Sequence, residues 1–420
     1  MNTAVSGQAA QPGVEEPDVI IGSREQLLHL LAEAAEIEHT LMCSYLYAAF
    51  SLKRPGEDGL TDQESEAVAR WRKSIMDVAV EEMGHLLMVA NLTVAIGGRP
   101  HFARPNFPVS PGYFPSGVVV RLTPFSIGTI DHFIFLERPK GAGGEDDVSF
   151  EETEYSRDQA RQRLMPGGQD YATIGHLYEA IRMNLRSLDT RFGGAGLFLG
   201  TSSGQVGPEV VTLEGIGKIS DLKTAERAID LIVEQGEGAL AEHEISHYRK
   251  FLFIREEMEK HQANRADFAP AWPAAESPVL RRPPEPEGKT WIDHPTAASV
   301  LDFACAIYGL LLRFLVQSFG RHGPNADGQQ KRLISTALAL MHGLAEACDT
   351  LVRLPATSNG VGLNAGMSFT MLRGVEPLLS GPSEEYLLRE QLAELAKGAR
   401  MLKLRSHKLL GELATELRLG

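Results

Sequence analysis

The chain has 420 residues, 43% of them hydrophobic and 23% charged, an ordinary balance for a globular protein with ample material for a core. Acidic residues outnumber basic ones 55 to 41, a net charge of −14, and no Lys/Arg block is interleaved with aromatics. That composition argues against nucleic acid or an anionic membrane surface as the main partner.

The N-terminal stretch 1–22 has no Lys or Arg but carries Glu15, Glu16 and Asp18, which reads as a loose tail rather than a signal peptide. Ser23 can cap a first helix running to about Leu52, where Pro55-Gly56 stops it. Its apolar stripe includes Leu31, Ala34, Leu41, Met42 and Tyr45, and Glu38 interrupts that stripe in mid-helix. Thr61 or Asp62 opens a second, long helix that reaches about Ile96 and ends at Gly97-Gly98. Within it Glu82 and His85 lie three residues apart, on the face that carries Val78 and Val89. A buried carboxylate is costly without a charge partner or a metal, so this pair asks what else points at it.

From 99 to about 128 the helical pattern breaks into a proline-rich segment with a β-like run, Gly117-Val-Val-Val-Arg-Leu122. An irregular connection of this length inside a helical domain reads as a functional cover. A short helix around Ile130–Leu136 follows, then a third long helix over about 170–192 with Glu179 beside its stripe. A fourth is predicted over about 222–259, with Glu237, Glu244 and His247 on one inward stripe. Residues 261–295 are a proline-rich linker, and three amphipathic segments, 296–319, 328–353 and 383–417, form a C-terminal helical domain (296–420). That region is expected to pack on the first domain (23–260) or to serve as a homodimer surface.

Cys43, Cys305 and Cys348 are isolated within apolar helical patterns and read as reduced packing residues of a cytoplasmic protein. The tempting apolar run Phe303–Leu312 is too short to span a bilayer. No dinucleotide fingerprint, Walker A sequence or nucleophile elbow is present. His342, Glu346 and Asp349 share helical spacing, but no partner for them occurs elsewhere.

In chain order the inward acids and histidines are Glu38, Glu82-x-x-His85, Glu179 and Glu244-x-x-His247. One Glu from each of two helices and one Glu-x-x-His from each of the other two is the ligand pattern of dinuclear carboxylate sites in ferritin-like bundles. Four carboxylates balance the charge of two divalent ions, and one imidazole per ion leaves coordination positions open. The expected fold is therefore all-α, a ferritin-like four-helix bundle with a long irregular insertion and a second helical domain. The expected ligands are Glu38, Glu82, His85, Glu179, Glu244 and His247, holding two iron ions or another dinuclear pair such as Mn/Fe. Glu237 is an additional candidate. Tyr45, Tyr178 and Tyr248 border the site.

These residues also carry a family resemblance. Glu38-His-Thr-Leu-Met-Cys-Ser-Tyr45, Glu82-Met-Gly-His-Leu86, Asn91, Gly97-Gly-Arg-Pro100 and Leu122-Thr-Pro-Phe-Ser126 belong to it. So do Ile174-Gly-His-Leu-Tyr-Glu179, Glu234-Gln-Gly-Glu-Gly238 and Ser246-His-Tyr-Arg-Lys-Phe251. Over about residues 23–255 the chain resembles the ferritin-like family typified by the ferritin-like region of the iminophenylpyruvate dimer synthases of violacein and related bisindole biosynthesis. The large N-terminal region of the violacein-pathway enzyme has no counterpart in this sequence, so imine dimerisation is not carried over. Met83 and Gly84 stand where several di-iron proteins have a residue pair that supports the metal-bound histidine, so His85 needs support from elsewhere. The resemblance implies an oxidoreductase acting with O₂ or peroxide on a small, amino-acid-derived substrate in bacterial secondary metabolism. The competing expectations are a non-enzymatic or ferroxidase-type iron-binding protein, and a scaffold with a vestigial site.

Overall fold

The computed structural model describes residues 19–57, 59–110, 113–114, 118–140, 146–147, 150, 171–236, 246–284, 288–360, 362–373 and 375–419. Helix α1 (Arg24–Ser51) starts where Ser23 accepts a hydrogen bond from the Gln26 amide. Helix α2 (Asp62–Ala95) starts with a full capping box between Thr61 and Glu64 and stops before Gly97, whose positive φ of 93° suits a residue without a Cβ. From Ile37 to Ser51 every residue of α1 is buried, so this helix is covered on all sides rather than on one stripe. The two helices pack along their length and frame the bundle.

The other two bundle positions are each built from shorter pieces. Helix α3 (Ile127–Leu136) packs on a later helix, α7, while α4 (Ile174–Phe192) packs on α1 and on α6. After the one-turn α5 (Gly194–Leu197) come α6 (Leu222–Gly236) and α7 (His247–Asn264), both against α2. The single fourth helix expected over 222–259 is thus two helices. Ser246 is extended, at φ −64° and ψ 152°, and its hydroxyl caps α7 by accepting from the Arg249 amide. α6 is described as far as Gly236, and 237–245 lie outside the described residues.

The β-like run after 117 does not form a strand. Its Val120 makes one antiparallel bridge to Val109, and Phe102, Phe107, Val109 and Leu122 bury themselves against the bundle. The segment 261–295 contains β1 (Pro278–Val279) and β2 (Thr290–Trp291), a parallel pair of two residues each. Helices α8 (Pro295–Ser318) and α9 (Ala326–Leu351) form a closely packed hairpin that touches α1. The last expected helix is again two, α10 (Pro382–Met401) and α11 (His407–Glu416), because Lys403 turns the chain with φ 60°.

All three cysteines are buried and unbridged. Among the described residues two helices, α2 and α8, are long and apolar enough to cross a membrane, but 83% and 72% of their most apolar windows are buried within the protein. For α8 this corrects the shorter run read from the sequence; its apolarity serves the core. Glu346 accepts the Arg405 and Ser406 amides ahead of α11, and Asp349 pairs with Arg54 and Arg72, which accounts for the acids of the C-terminal His/Glu/Asp group.

Candidate metal centre

Among the described residues two groups of potential ligands meet inside the bundle. Glu38, Glu82 and His85 form one, and Glu82, Glu137 and His247 the other; the donor atoms in each lie within 4.8 Å of one another. Glu82 belongs to both. All five are buried, with exposures of 2% for Glu38, Glu82 and His85, 4% for Glu137 and 0% for His247.

Each ring presents Nδ1 to the carboxylates. His85 Nδ1 lies 2.9 Å from Glu82 Oε2 and 3.3 Å from Glu38 Oε2. His247 Nδ1 lies 3.0 Å from Glu82 Oε1 and 3.6 Å from Glu137 Oε1, yet it makes no aligned hydrogen bond. On the His247 side, donor atoms that crowd together without bonding each other fit a shared cation between them. The far nitrogens are held by other residues: His85 Nε2 is 2.9 Å from Gln235 Oε1, and His247 Nε2 is 2.8 Å from Glu81 Oε2. A carboxylate only accepts, so Nε2 of His247 carries the hydrogen and Nδ1 faces the acids. Lys250 Nζ, 2.6 and 2.9 Å from the Glu81 oxygens, neutralises that outer carboxylate.

This supplies the support for His85 that the sequence left unassigned. It comes from Gln235 on α6, not from the neighbours Met83 and Gly84. The tyrosine hydroxyls complete the frame: Tyr178 donates to Glu38 and Tyr45 donates to Glu137. The rings of His85 and His247 stack with centroids 5.6 Å apart.

The electrostatics are those of a site short of positive charge. Burial and the facing Glu82 lift the Glu38 carboxyl to about 8. Burial pushes Glu82 upward as well, but the imidazoles of His85 and His247 outweigh it and hold its carboxyl well below the usual range. Burial disfavours the imidazolium forms, and Glu82 overcomes this, lifting His85 to about 10 and His247 well above its ordinary value. Burial, then Glu137, pushes the Tyr45 phenol up; burial, then Glu38, does the same at Tyr178. Protons on Nδ1 and on Glu38 fill the role that cations can fill.

Of the residues expected from the sequence, the structure brings Glu38, Glu82, His85 and His247 together. Glu244 and Glu237 lie outside the described residues. Glu179 stands apart: its side chain is 37% exposed and pairs with Arg182 at 2.9 Å. One residue along a helix is a rotation of about 100°, and it is the preceding Tyr178 that reaches the site. The residue missed was Glu137, placed by the C-terminus of α3. Ile130, Phe133 and Glu137 follow i, i+3, i+7, which would have flagged it. Glu81→Gln should weaken metal binding on the His247 side about 10- to 100-fold, the usual cost of losing an outer partner, and titration calorimetry on the metal-free protein would measure it.

The architecture is a helical bundle with a carboxylate–imidazole core. The chain belongs to the ferritin-like family, whose sequence model matches residues 31–256. It is similar to dichlorochromopyrrolate synthase of Lentzea aerocolonigenes, 27% identical over 408 residues covering 88% of this chain and 38% of that protein. It is also similar to 2-imino-3-(indol-3-yl)propanoate dimerase of Chromobacterium violaceum, 28% identical over 419 residues covering 93% and 37%. The chain therefore spans less than two fifths of the length of these curated relatives. A solved ferritin-like protein from Caulobacter vibrioides matches with a TM-score of 0.47 and 19% identity, covering 77% of this chain and 97% of that one.

Proposed function

We propose that this chain is a cytoplasmic oxidoreductase with two metal ions, iron in the first place, that uses O₂ or a peroxide on a small amino-acid-derived molecule in bacterial secondary metabolism. The observation that carries this reading is the pair of buried ligand groups sharing Glu82. Glu38 and His85 would hold one ion, Glu137 and His247 the other, with Glu82 between them. Glu244, three residues before His247, would complete the set. The donor set, three carboxylates and two imidazoles among the described residues, suits iron or manganese better than the softer metals that thiolates select. When bound, such ions supply Lewis acidity and the electrons that reduce the oxidant.

The protein's own part is orientation and exclusion of water. Tyr178 and Tyr45 fix the outer carboxylates, Gln235 and Glu81 fix the rings, and Phe102, Phe107, Val109 and Leu122 pack on the bundle core. The substrate class rests on the relatives. One is named for an imino acid bearing an indole, the other for a synthase, and both are larger than this chain. The test is anaerobic reconstitution with Fe²⁺. About two ions per chain are expected for a centre of this pattern, with a transient visible absorption on exposure to O₂. Fewer than about one ion per chain, together with a Glu82→Ala protein that behaves like the parent, would sink the reading.

A further inference from the structure

The C-terminal half carries a surface groove of about 630 Å³ between α8 and α10. The two helices run antiparallel. Arg321, just past the end of α8, meets Glu384 at the start of α10, and Phe303 in the first half of α8 packs on Gly398 near the end of α10. Their apolar stripes are spent elsewhere, because α8 packs mainly on α9 and α10 mainly on α11. The pair therefore touches only lightly, and Phe303, Ala306 and Leu310 are left as the floor of the groove. Apolar side chains stand out on its rim: Met401 is 71% exposed and Leu372 40%. Leu387, two turns before Glu394 on the same face of α10, is exposed as well.

The charges of the groove stand at opposite ends. Asp302 belongs to the end nearer the N-terminus of α8. Arg373 belongs to the other, because the preceding Leu372 packs over Gly309, two turns further along α8. That places the two about 10 Å apart along the axis. Both side chains are exposed, and neither has an ion-pair partner among the described residues. A small-molecule site gathers its polar groups at one point. An acid at one end and a base at the other instead suit a second copy of the same surface, turned about a two-fold axis. With the axis near Ala306, in the middle of the groove, Asp302 of each copy meets Arg373 of the other. Glu394 falls near that axis, and Lys397, one turn along α10, is placed to balance it across the interface.

We propose that this face is a homodimer interface, in which the antiparallel pair α8 and α10 of one copy packs on that of the other as four helices, and the exposed rim, Met401 first, fills the partner's groove. The inference is independent of the metal reading. Sedimentation velocity on the full chain tests it, and the parent is expected to be a dimer. Asp302→Arg turns both symmetric contacts into like-charge pairs and should raise the dissociation constant by about 100-fold. Arg373→Asp should do the same. Combining Asp302→Arg with Arg373→Asp restores opposite charges at both ends and should return the dimer, which damage to the fold would not allow. Met401→Glu, at a side chain exposed in the single chain, should give a monomer with the parent's circular dichroism. A parent that is monomeric throughout its soluble range overturns the proposal and leaves the groove to another occupant. A dimer that Asp302→Arg and Met401→Glu both leave intact, or a double charge swap that stays monomeric, overturns it too.

Discussion

Glu82→Ala is expected to abolish both metal positions at once, whereas Glu179→Ala leaves the metal content unchanged. Glu82 is the one carboxylate common to both ligand groups, with its Oε2 toward His85 and its Oε1 toward His247. Removing it takes a donor from each ion and the negative charge that holds both rings protonated in the metal-free protein. Glu38→Ala and Glu137→Ala each remove a donor from one group only, and should cost about one ion per chain rather than two. Glu179 belongs to neither group. Its ion pair with Arg182 is partly exposed, and loss of such a pair changes stability by no more than about 1 kcal/mol. Elemental analysis of the four reconstituted variants gives the pattern directly. Iron lost in Glu179→Ala but retained in Glu137→Ala would restore the ligand set read from the sequence and remove Glu137 from it.

That contrast shows what the sequence could carry. Glu38, Glu82 and His85 were legible because each sits in the middle of a long, regular apolar stripe, where a charged residue needs a reason. Glu137 escaped because α3 has only ten residues and the acid lies just past its end, where a glutamate ordinarily faces solvent. In the sequence Glu179 stands out over Tyr178 because an acid beside a stripe looks like a ligand, while a buried tyrosine looks like packing. The outer support was illegible for another reason. Gln235 and Glu81 matter through contacts that join α6 to α2 and α7 to α2, and no local pattern records such pairs. The break of the last helix at 403 was hidden too, since Lys403 is a good helix former held at positive φ by its surroundings.

Arg321→Ala should lower the unfolding free energy by about 3–5 kcal/mol, although the residue lies at the far end of α8 from the N-terminus that leads into it. Arg321 and Glu384 form a two-pronged pair, with side chains 9% and 2% exposed, that ties the end of α8 to the first turn of α10. Arg321 also donates to the Gln317 carbonyl at 2.8 Å. Truncating one partner leaves the other a buried charge with nothing to balance it, whereas replacing both with methionine removes the desolvation cost as well. Arg321→Met with Glu384→Met should therefore be more stable than Arg321→Ala alone. The loss should spread through the whole chain rather than detach its C-terminal half. Tyr308 of α8 is buried against His39 of α1, 2.5 Å from its Nε2, and lies 3.2 Å from Arg104 of the irregular segment. Cys43 of α1 touches the same hydroxyl at 3.5 Å. Freeing α8 would expose that polar cluster and the side of α1 next to Glu38 together. Calorimetry of Arg321→Ala should then show one transition at lower temperature, and a separate early transition that leaves iron binding intact would mean that the two halves fold independently.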